Sequence, residues 1–213
     1  MRMPILATMR RALLLAAMSL GLAACIGSEP RAPELYTAVQ GWRQISENES
    51  WLLLEPSTEA AVIARLAKQE GPRLYQRLVL ANDTVLSGEN YFEVMLSGDP
   101  SDGTARYTET SFLGTVSDAL PGGSTVNGQS SNRYGTIIYA IAEGLGDARC
   151  IYAIQRLVET EALQLPSGVA FGTIEHRYCG TGETREQLVA RIERLNFNPL
   201  LTIVSGGSFS PAF

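Results

Sequence analysis

Short hydrophobic stretches, separated by turn-forming residues, run through the first half of the chain. Four of them are apolar or alternate between apolar and polar residues, and Gly, Pro, Asn and Asp lie between them, as between strands. They cover residues 51–54, 60–66, 74–81 and 91–96. The second stretch also fits one and a half helical turns, because residues 61–68 contain no helix breaker. We therefore predict three or four strands in this half.

The second half of the chain combines helical spacing with β-branched runs. Apolar residues recur at helical spacing over residues 112–120, and Pro-Gly-Gly follows, so we predict a short helix there. Residues 124–133 are polar and rich in Gly, Ser and Asn, which predicts an exposed loop. Residues 136–142 are β-branched and predict a buried strand. Thr184 and Gln187 match a capping box, and the apolar stripe behind them predicts a second helix.

Two further strand-like runs lie between these elements, at residues 148–158 and 169–179. Both are rich in β-branched and aromatic residues, and a Pro-Ser-Gly turn signal separates them. The order of elements is therefore three strands and a helix, followed by three strands and a helix. This order predicts the α+β class, with an antiparallel β-sheet of about six strands and two helices packed on one face.

The N-terminus has the features of a bacterial export signal. Three arginines accompany an apolar run of about 11 residues, which is shorter than the roughly 20 residues that cross a bilayer. The sequence Leu-Ala-Ala-Cys ending at Cys25 then matches a lipobox, so we predict signal cleavage and acylation of Cys25. An ordinary signal peptide with a buried cysteine is the alternative. Ile26 follows in place of the Asp that tends to hold lipoproteins at the inner membrane, which favours the outer membrane.

Removal of the signal changes the charge of the chain. The predicted organisation is a signal peptide at residues 1–24, an acylated cysteine and tether at 25–50, one domain at 51–204 and a flexible tail at 205–213. Three of the 17 basic side chains lie in the signal, against 22 acidic side chains beyond it, so the mature chain has a net charge of −8. This charge argues against nucleic acid as a partner. The acyl chains on Cys25 are the predicted membrane contact.

The two remaining cysteines are predicted to form a disulfide, because an exported chain enters an oxidising compartment. If the last two strand-like runs pair as an antiparallel hairpin centred between positions 164 and 165, residues whose numbers sum to 329 face each other. Cys150 and Cys179 meet that condition. The bond would clamp the open end of the hairpin. A pair of free thiols is the alternative.

Residues typical of catalytic or metal sites are few. The single histidine, His176, lies in a predicted strand on the opposite face from Cys179, so we predict a structural role for it. Asp99 and Asp102 fit a polar turn better than a calcium loop, because the further oxygen ligands of such a loop are missing. The serines beside glycine pairs lack the Gly-x-Ser-x-Gly elbow. We therefore expect no catalytic residue, no metal and no cofactor.

Tyrosines on the predicted strands are candidates for glycan contact, since a sugar ring can stack on an exposed aromatic ring. The candidates for glycan or partner contact are Tyr134, Tyr139, Tyr152 and Tyr178, and Tyr91 is a further strand tyrosine. Aromatic strand residues more often belong to the core. Both readings stay open at this point.

Several motifs of the second half occur together in one known family. An Asn-x-Tyr-Gly sequence lies at residues 132–135, a Cys-x-Tyr-Ala-x-Gln sequence lies at 150–155, and a strand ending in Cys179 precedes a Leu-rich helix. The segment at residues 74–97 is also similar to this family. Together with the motifs, it makes residues 60–196 resemble the cellulose biosynthesis protein BcsN family of alphaproteobacterial lipoproteins. The chain departs from the family pattern at Ile154, where the family often has Trp.

The resemblance implies an envelope accessory subunit of a bacterial cellulose synthesis and secretion system, and not an enzyme. The expected partners are the membrane, through the lipid on Cys25, protein components of the cellulose complex, and the emerging glucan. The expected location is the periplasmic side of the outer membrane. Two alternatives stay open. One is an envelope glycan-acting hydrolase that uses a serine with His176, and the other is a scaffold lipoprotein of another secretion or conjugation apparatus.

Overall fold

The structure, a computed structural model, describes residues 41–102, 109–157, 159, 163–166 and 168–198. These residues form one large antiparallel sheet, a small second sheet and three α-helices. The predicted signal peptide, Cys25 and the predicted tail at residues 205–213 lie outside the described residues.

The elements are numbered in chain order. The strands are β1 (Arg43–Gln44), β2 (Leu52–Leu53), β3 (Val62–Glu70), β4 (Arg73–Leu80), β5 (Asn90–Ser97), β6 (Ser124–Asn132), β7 (Gly135–Leu145), β8 (Ala148–Leu157), β9 (Phe171–Thr181) and β10 (Asn196–Phe197). The α-helices are α1 (Pro56–Glu59), α2 (Glu109–Ala119) and α3 (Arg185–Glu193), and a short 3-10 helix covers Glu47–Glu49.

Eight of the strands form a single antiparallel sheet in the order β1-β3-β4-β5-β9-β8-β7-β6, and β2 pairs separately with β10. The sequence predicted about six strands, and the two that it missed are the edges of the sheet. Strand β1 is two residues long, which is too short to show a periodic pattern. Strand β3 confirms the strand interpretation of residues 61–68 over the helical alternative.

Strand β6 corrects the prediction of a loop over residues 124–133. Its nine residues are mostly polar, yet each of them pairs with β7 in a continuous antiparallel register. An edge strand that is largely exposed needs no apolar face, because the backbone hydrogen bonds to its neighbour hold it in the sheet. The polar composition therefore indicated exposure and not the absence of regular structure.

The β8–β9 hairpin has the predicted register. Ala148 lies opposite Thr181, and each further pair along the two strands keeps the same sum of residue numbers, 329. Cys150 and Cys179 are directly opposed, with a Cα–Cα distance of 4.0 Å, and form the disulfide. The predicted bond is therefore confirmed. Both cysteines are fully buried in a hydrophobic cluster to which α2 contributes.

The two longer helices contact opposite faces of the sheet. Ile141 of β7 packs in a cluster with Leu188 of α3, whereas the preceding residue, Ala140, packs in a cluster with Phe112 of α2. Because successive strand residues point to opposite faces, the two helices lie on different sides. This corrects the expectation of both helices on one face. Strand β8 is buried along almost its whole length, so each of its faces needs a cover.

Both of these helices lie where periodicity predicted them. The capping box of α3 is confirmed. The backbone N–H of Gln187 donates to the Thr184 hydroxyl (3.2 Å), and the side-chain oxygen of Gln187 accepts from the backbone N–H of Thr184 (2.7 Å). Leu188 and Ile192 of α3 are fully buried, and Phe112 of α2 is 6% exposed. The apolar stripes therefore face the sheet as predicted.

The segment before β3 covers the half of the sheet that the helices leave open. On the face that carries α2, Trp42 packs with Tyr75 and Phe171, and on the face that carries α3, Leu52 joins the larger cluster. Trp42 is 3% exposed, and β1 pairs with β3. Residues 41–50, which the sequence assigned to a tether, therefore pack as part of the folded domain.

Removal of the disulfide tests its contribution to stability. The double variant Cys150→Ala with Cys179→Ala should lower the free energy of unfolding by about 3 to 4 kcal/mol, because the bond closes a loop with a sequence separation of 29. Urea unfolding followed by circular dichroism measures this difference. The reduced wild-type chain should match the double variant, and equal midpoints for the oxidised wild type and the variant would contradict the expectation.

Candidate functional site

On the sheet face that carries α2, the central part is polar, and an apolar cluster lies on either side of it. A cleft of about 330 Å³ opens there. Loop residues 87–89 and residues 118–121 at the end of α2 form its walls, and Tyr91 and Arg177 form its floor. We call this feature the central cleft. At the centre of the same face, β4, β5 and β9 contribute the polar side chains of Arg77, Tyr91, Glu93, Glu175 and Arg177.

Arg177 of β9 holds the walls of the central cleft in place by hydrogen bonds. Its guanidinium donates to the carbonyl oxygens of Ala119 (2.6 Å), Glu89 (2.6 Å) and Ser87 (2.8 Å). The Ala119 carbonyl lies at the C-terminus of α2, where the helix dipole favours a cation. Gly88 has a φ of +102°, and a Cβ there would lie 2.6 Å from the guanidinium. One buried cation thus holds the loop and the helix end in place.

Tyr91 offers a partly exposed aromatic ring in the cleft. The Arg77 guanidinium lies 4.6 Å from the centroid of this ring and fixes its orientation by a cation–π contact. Arg77 also forms an ion pair with Glu93 at 2.6 Å. Burial and the nearby Glu175 carboxylate raise the pKa of Tyr91 above its usual value. The phenol therefore stays protonated at neutral pH and keeps its capacity to donate a hydrogen bond.

Two glutamates at the centre of the sheet were missed by the sequence analysis. Glu93 of β5 and Glu175 of β9 lie directly opposite each other in the antiparallel pairing. Directly opposed like charges are destabilising, and the ion pair of Glu93 with Arg77 offsets part of this repulsion. The sequence did contain a signal for this polar region, because each of two otherwise buried strands contains a single glutamate. Such a glutamate indicates that one face of its strand is polar at that position.

His176 lies on the other face of the sheet, in the core. It is fully buried and stacks on Phe92, with 3.9 Å between the ring centroids. Nδ1 lies 2.9 Å from the Tyr91 carbonyl oxygen, which assigns the ring proton to Nδ1. Nε2 has no hydrogen-bond partner within the described residues. This environment agrees with the structural role predicted for His176, and no described serine forms the pair that the hydrolase alternative requires.

The four candidate tyrosines do not share an exposed surface. Tyr134 and Tyr152 are each 1% exposed, and Tyr178 is 8% exposed with the Arg191 guanidinium 4.0 Å from its ring centroid. A buried ring has no free face for a sugar, so these three tyrosines are corrected to core residues. Tyr139 keeps partial exposure, on the face opposite the central cleft.

The acidic turn after β5 is held by an ion pair. Asp102 forms two hydrogen bonds with the Arg73 guanidinium and accepts a third from the Ser97 hydroxyl (2.6 Å). Asp99 accepts from the amide of Ser101 (2.9 Å). These contacts are those of the predicted polar turn. In the part of the chain that the structure describes, no group of three or more His, Cys, Asp or Glu side chains is placed to hold a metal.

A buried hydrogen-bond network fixes the β6–β7 turn. The Gln155 amide donates to Asn132 Oδ1 (2.6 Å) and to the Gly135 carbonyl (3.0 Å), and the Asn132 amide donates back to Gln155 (3.2 Å). Asn132 also accepts from the Tyr134 amide (2.9 Å), and the Tyr134 hydroxyl accepts from the Phe197 amide (3.0 Å). The Asn-x-Tyr-Gly and Cys-x-Tyr-Ala-x-Gln motifs therefore form one structural unit.

A family model described as cellulose biosynthesis protein BcsN matches residues 52–209. The chain belongs to the BcsN family. The match extends from β2 through β10, so it includes the buried network and the central cleft, and it confirms the resemblance seen in the sequence motifs. Comparisons with curated proteins and with solved structures return no match. Within the described residues of this BcsN-family chain, no helix has the length and hydrophobicity needed to cross a membrane.

The buried histidine predicts an acid-sensitive fold for this BcsN-family chain. Burial lowers the pKa of His176 to about 3, below its ordinary value of 6.5. Between these values the unfolded chain binds a proton that the folded chain does not, so stability present above pH 6.5 is lost as the pH falls towards 3. One such group contributes a slope of at most about 1.4 kcal/mol per pH unit.

The variant His176→Asn isolates this contribution, because the asparagine amide can still donate to the Tyr91 carbonyl but does not titrate. Urea unfolding at several values between pH 4 and 7 should give a shallower loss of stability for the variant than for the wild type. Parallel pH profiles for the two proteins would show that the pKa of His176 is the same in the folded and unfolded chains, which would contradict the lowered pKa.

Proposed function

We propose that this BcsN-family chain is a lipid-anchored, non-catalytic accessory subunit of a bacterial cellulose synthesis and secretion complex. Family membership supports a part in cellulose biosynthesis. The lipobox ending at Cys25 supports an anchor in the outer membrane with the domain on the periplasmic side. The buried Cys150–Cys179 disulfide suits the oxidising side of the envelope. The expected protein partners are other components of the cellulose complex.

The observation that supports a binding role is that fixed polar groups form the central cleft. Arg177, at the floor of the cleft, donates to three main-chain carbonyls, and Arg77 is held by Glu93 and by the Tyr91 ring. These groups therefore build a rigid surface. Preformed clefts with a few fixed polar groups are the common form of small-molecule and oligomer binding sites.

The chemistry of the central cleft suits a neutral polyhydroxylated chain such as glucan. Tyr91 offers a ring on which the apolar face of a sugar can stack and a phenol that stays protonated. Asp118 and Glu89 at the walls carry carboxylates whose oxygens can accept hydrogen bonds from sugar hydroxyls, and the Glu89 carboxylate also pairs with Arg77 at 3.4 Å. We therefore place the glucan contact at this cleft and not at the buried tyrosines.

Deletion of the gene tests the accessory role. Exported cellulose should fall in the deletion strain while the amount of the synthase stays constant, because the proposed subunit acts on assembly or export. Complementation with wild-type protein should restore export, whereas Cys25→Ser should move the protein from the membrane fraction to the soluble fraction and restore less. Unchanged cellulose in the deletion strain would contradict the proposed role, and an unchanged membrane fraction would contradict the anchor.

Binding of cello-oligosaccharides tests the cleft separately. The variant Tyr91→Ala should weaken binding of cellohexaose at least tenfold in calorimetry or in NMR titration, because it removes the stacking ring, a contact worth about 1.4 kcal/mol or more. Tyr139→Ala is the matched control, since it removes a partly exposed tyrosine from the opposite face. Loss of binding in the Tyr139 variant alone would move the glucan contact to that face.

A further inference from the structure

Strand β6 is an unusually open edge of the large sheet. Over its nine residues it has no charged side chain, no proline and no bulge, and its pairing with β7 is continuous. In an antiparallel ladder about half of the backbone N–H and C=O groups point away from the neighbouring strand. Within the described residues, no backbone hydrogen bond reaches β6 from its outer side. The strand therefore presents a regular row of donors and acceptors for a further strand.

The opposite edge of the same sheet is protected. Strand β3 carries Arg65, Lys68 and Glu70, it has a register shift between Val62 and Ala64, and β1 covers part of its outer side. Charges, bulges and short covering strands are the means by which proteins prevent edge-to-edge pairing. Among the residues that the structure describes, one edge of the sheet is therefore blocked and the other is not.

The exposed side chains of β6 support pairing with a neutral, polar strand. Thr125, Asn127, Gln129 and Ser131 all lie on the α2 face and are all exposed. None of these four side chains makes a hydrogen bond within the described residues, whereas Ser130 and Asn132 on the other face bond to Glu193 and Gln155. Two amides and two hydroxyls are thus available on one side of the edge.

We propose that β6 pairs with β6 of a second copy of this chain, antiparallel about Gly128. In this register, residues whose numbers sum to 256 face each other. Asn127 then faces Gln129 of the second copy, and Thr125 faces Ser131 of the second copy. Each pair joins side chains that can both donate and accept a hydrogen bond, and such cross-strand pairs stabilise a sheet. The two eight-stranded sheets become one continuous sheet of sixteen strands.

The second copy is favoured as occupant because β6 is complementary to itself. A two-fold axis brings each residue of the strand opposite the strand's own sequence, and an uncharged strand meets no like charge there. The excess of acidic residues in the chain lies elsewhere in the sequence. Because a single strand edge buries a small area, the dimer should be weak and should depend on concentration.

Charge substitutions test both the surface and the register. The double variant Asn127→Lys with Gln129→Lys places two positive charges opposite two others and should weaken dimerisation at least tenfold. The matched variant Asn127→Asp with Gln129→Lys places opposite charges across the same axis, so it should dimerise at least as well as the wild type. The substituted side chains are exposed, so the fold should be unaffected, and the unfolding midpoint checks this.

Sedimentation equilibrium of the full chain in density-matched detergent measures the dimerisation of the three proteins. Amide hydrogen exchange of residues 125–131 should slow as the wild-type concentration rises. A wild-type chain that stays monomeric would overturn the proposal and would point to another occupant of the edge. Equal dimerisation of wild type and the two-lysine variant would exclude β6 as the interface, and equal weakening of both variants would exclude the register about Gly128.

Discussion

The pairing of β8 with β9, closed by the Cys150–Cys179 disulfide, is the constraint on which the rest of the sheet depends. Side chains alternate between the two faces of a strand, so a slip of one residue would exchange the faces. Ile151 would then leave the cluster that includes α3, and Tyr152 would leave the cluster that includes α2. Because the two helices cover opposite faces, the register decides which residues each of them can bury.

The central cleft follows from the way in which the two faces are covered. On the α3 face, the Phe92–His176 stack continues the core across the middle of the sheet. On the α2 face, the helix covers one part and the segment around Trp42 covers another, and charged residues occupy the strip between them. Arg177 anchors the loop and the helix end at this strip, so the same side chain stabilises the fold and shapes the cleft.

Local sequence signals predicted the elements whose structure has a local cause. The Thr184 capping box, the apolar spacing of α2 and the hairpin register of the two cysteines all depend on residues close in sequence or on one symmetric turn. Strand β6 was missed because an exposed edge strand has no apolar face to produce a period of two. The polar face of the central strands was missed because a lone Glu175 in a buried strand gives a weak signal.

The sequence by itself determined the strand-rich α+β class, the disulfide and the family, because periodicity, cysteine positions and motifs are properties of short segments. Only the tertiary structure decided which faces the helices cover, which tyrosines are buried and where the cleft lies. Those features depend on contacts between distant residues, such as Arg177 with Ser87 and Ala119. No local pattern indicates such a contact, because each of these residues would fit the same local strand or loop in many other tertiary arrangements.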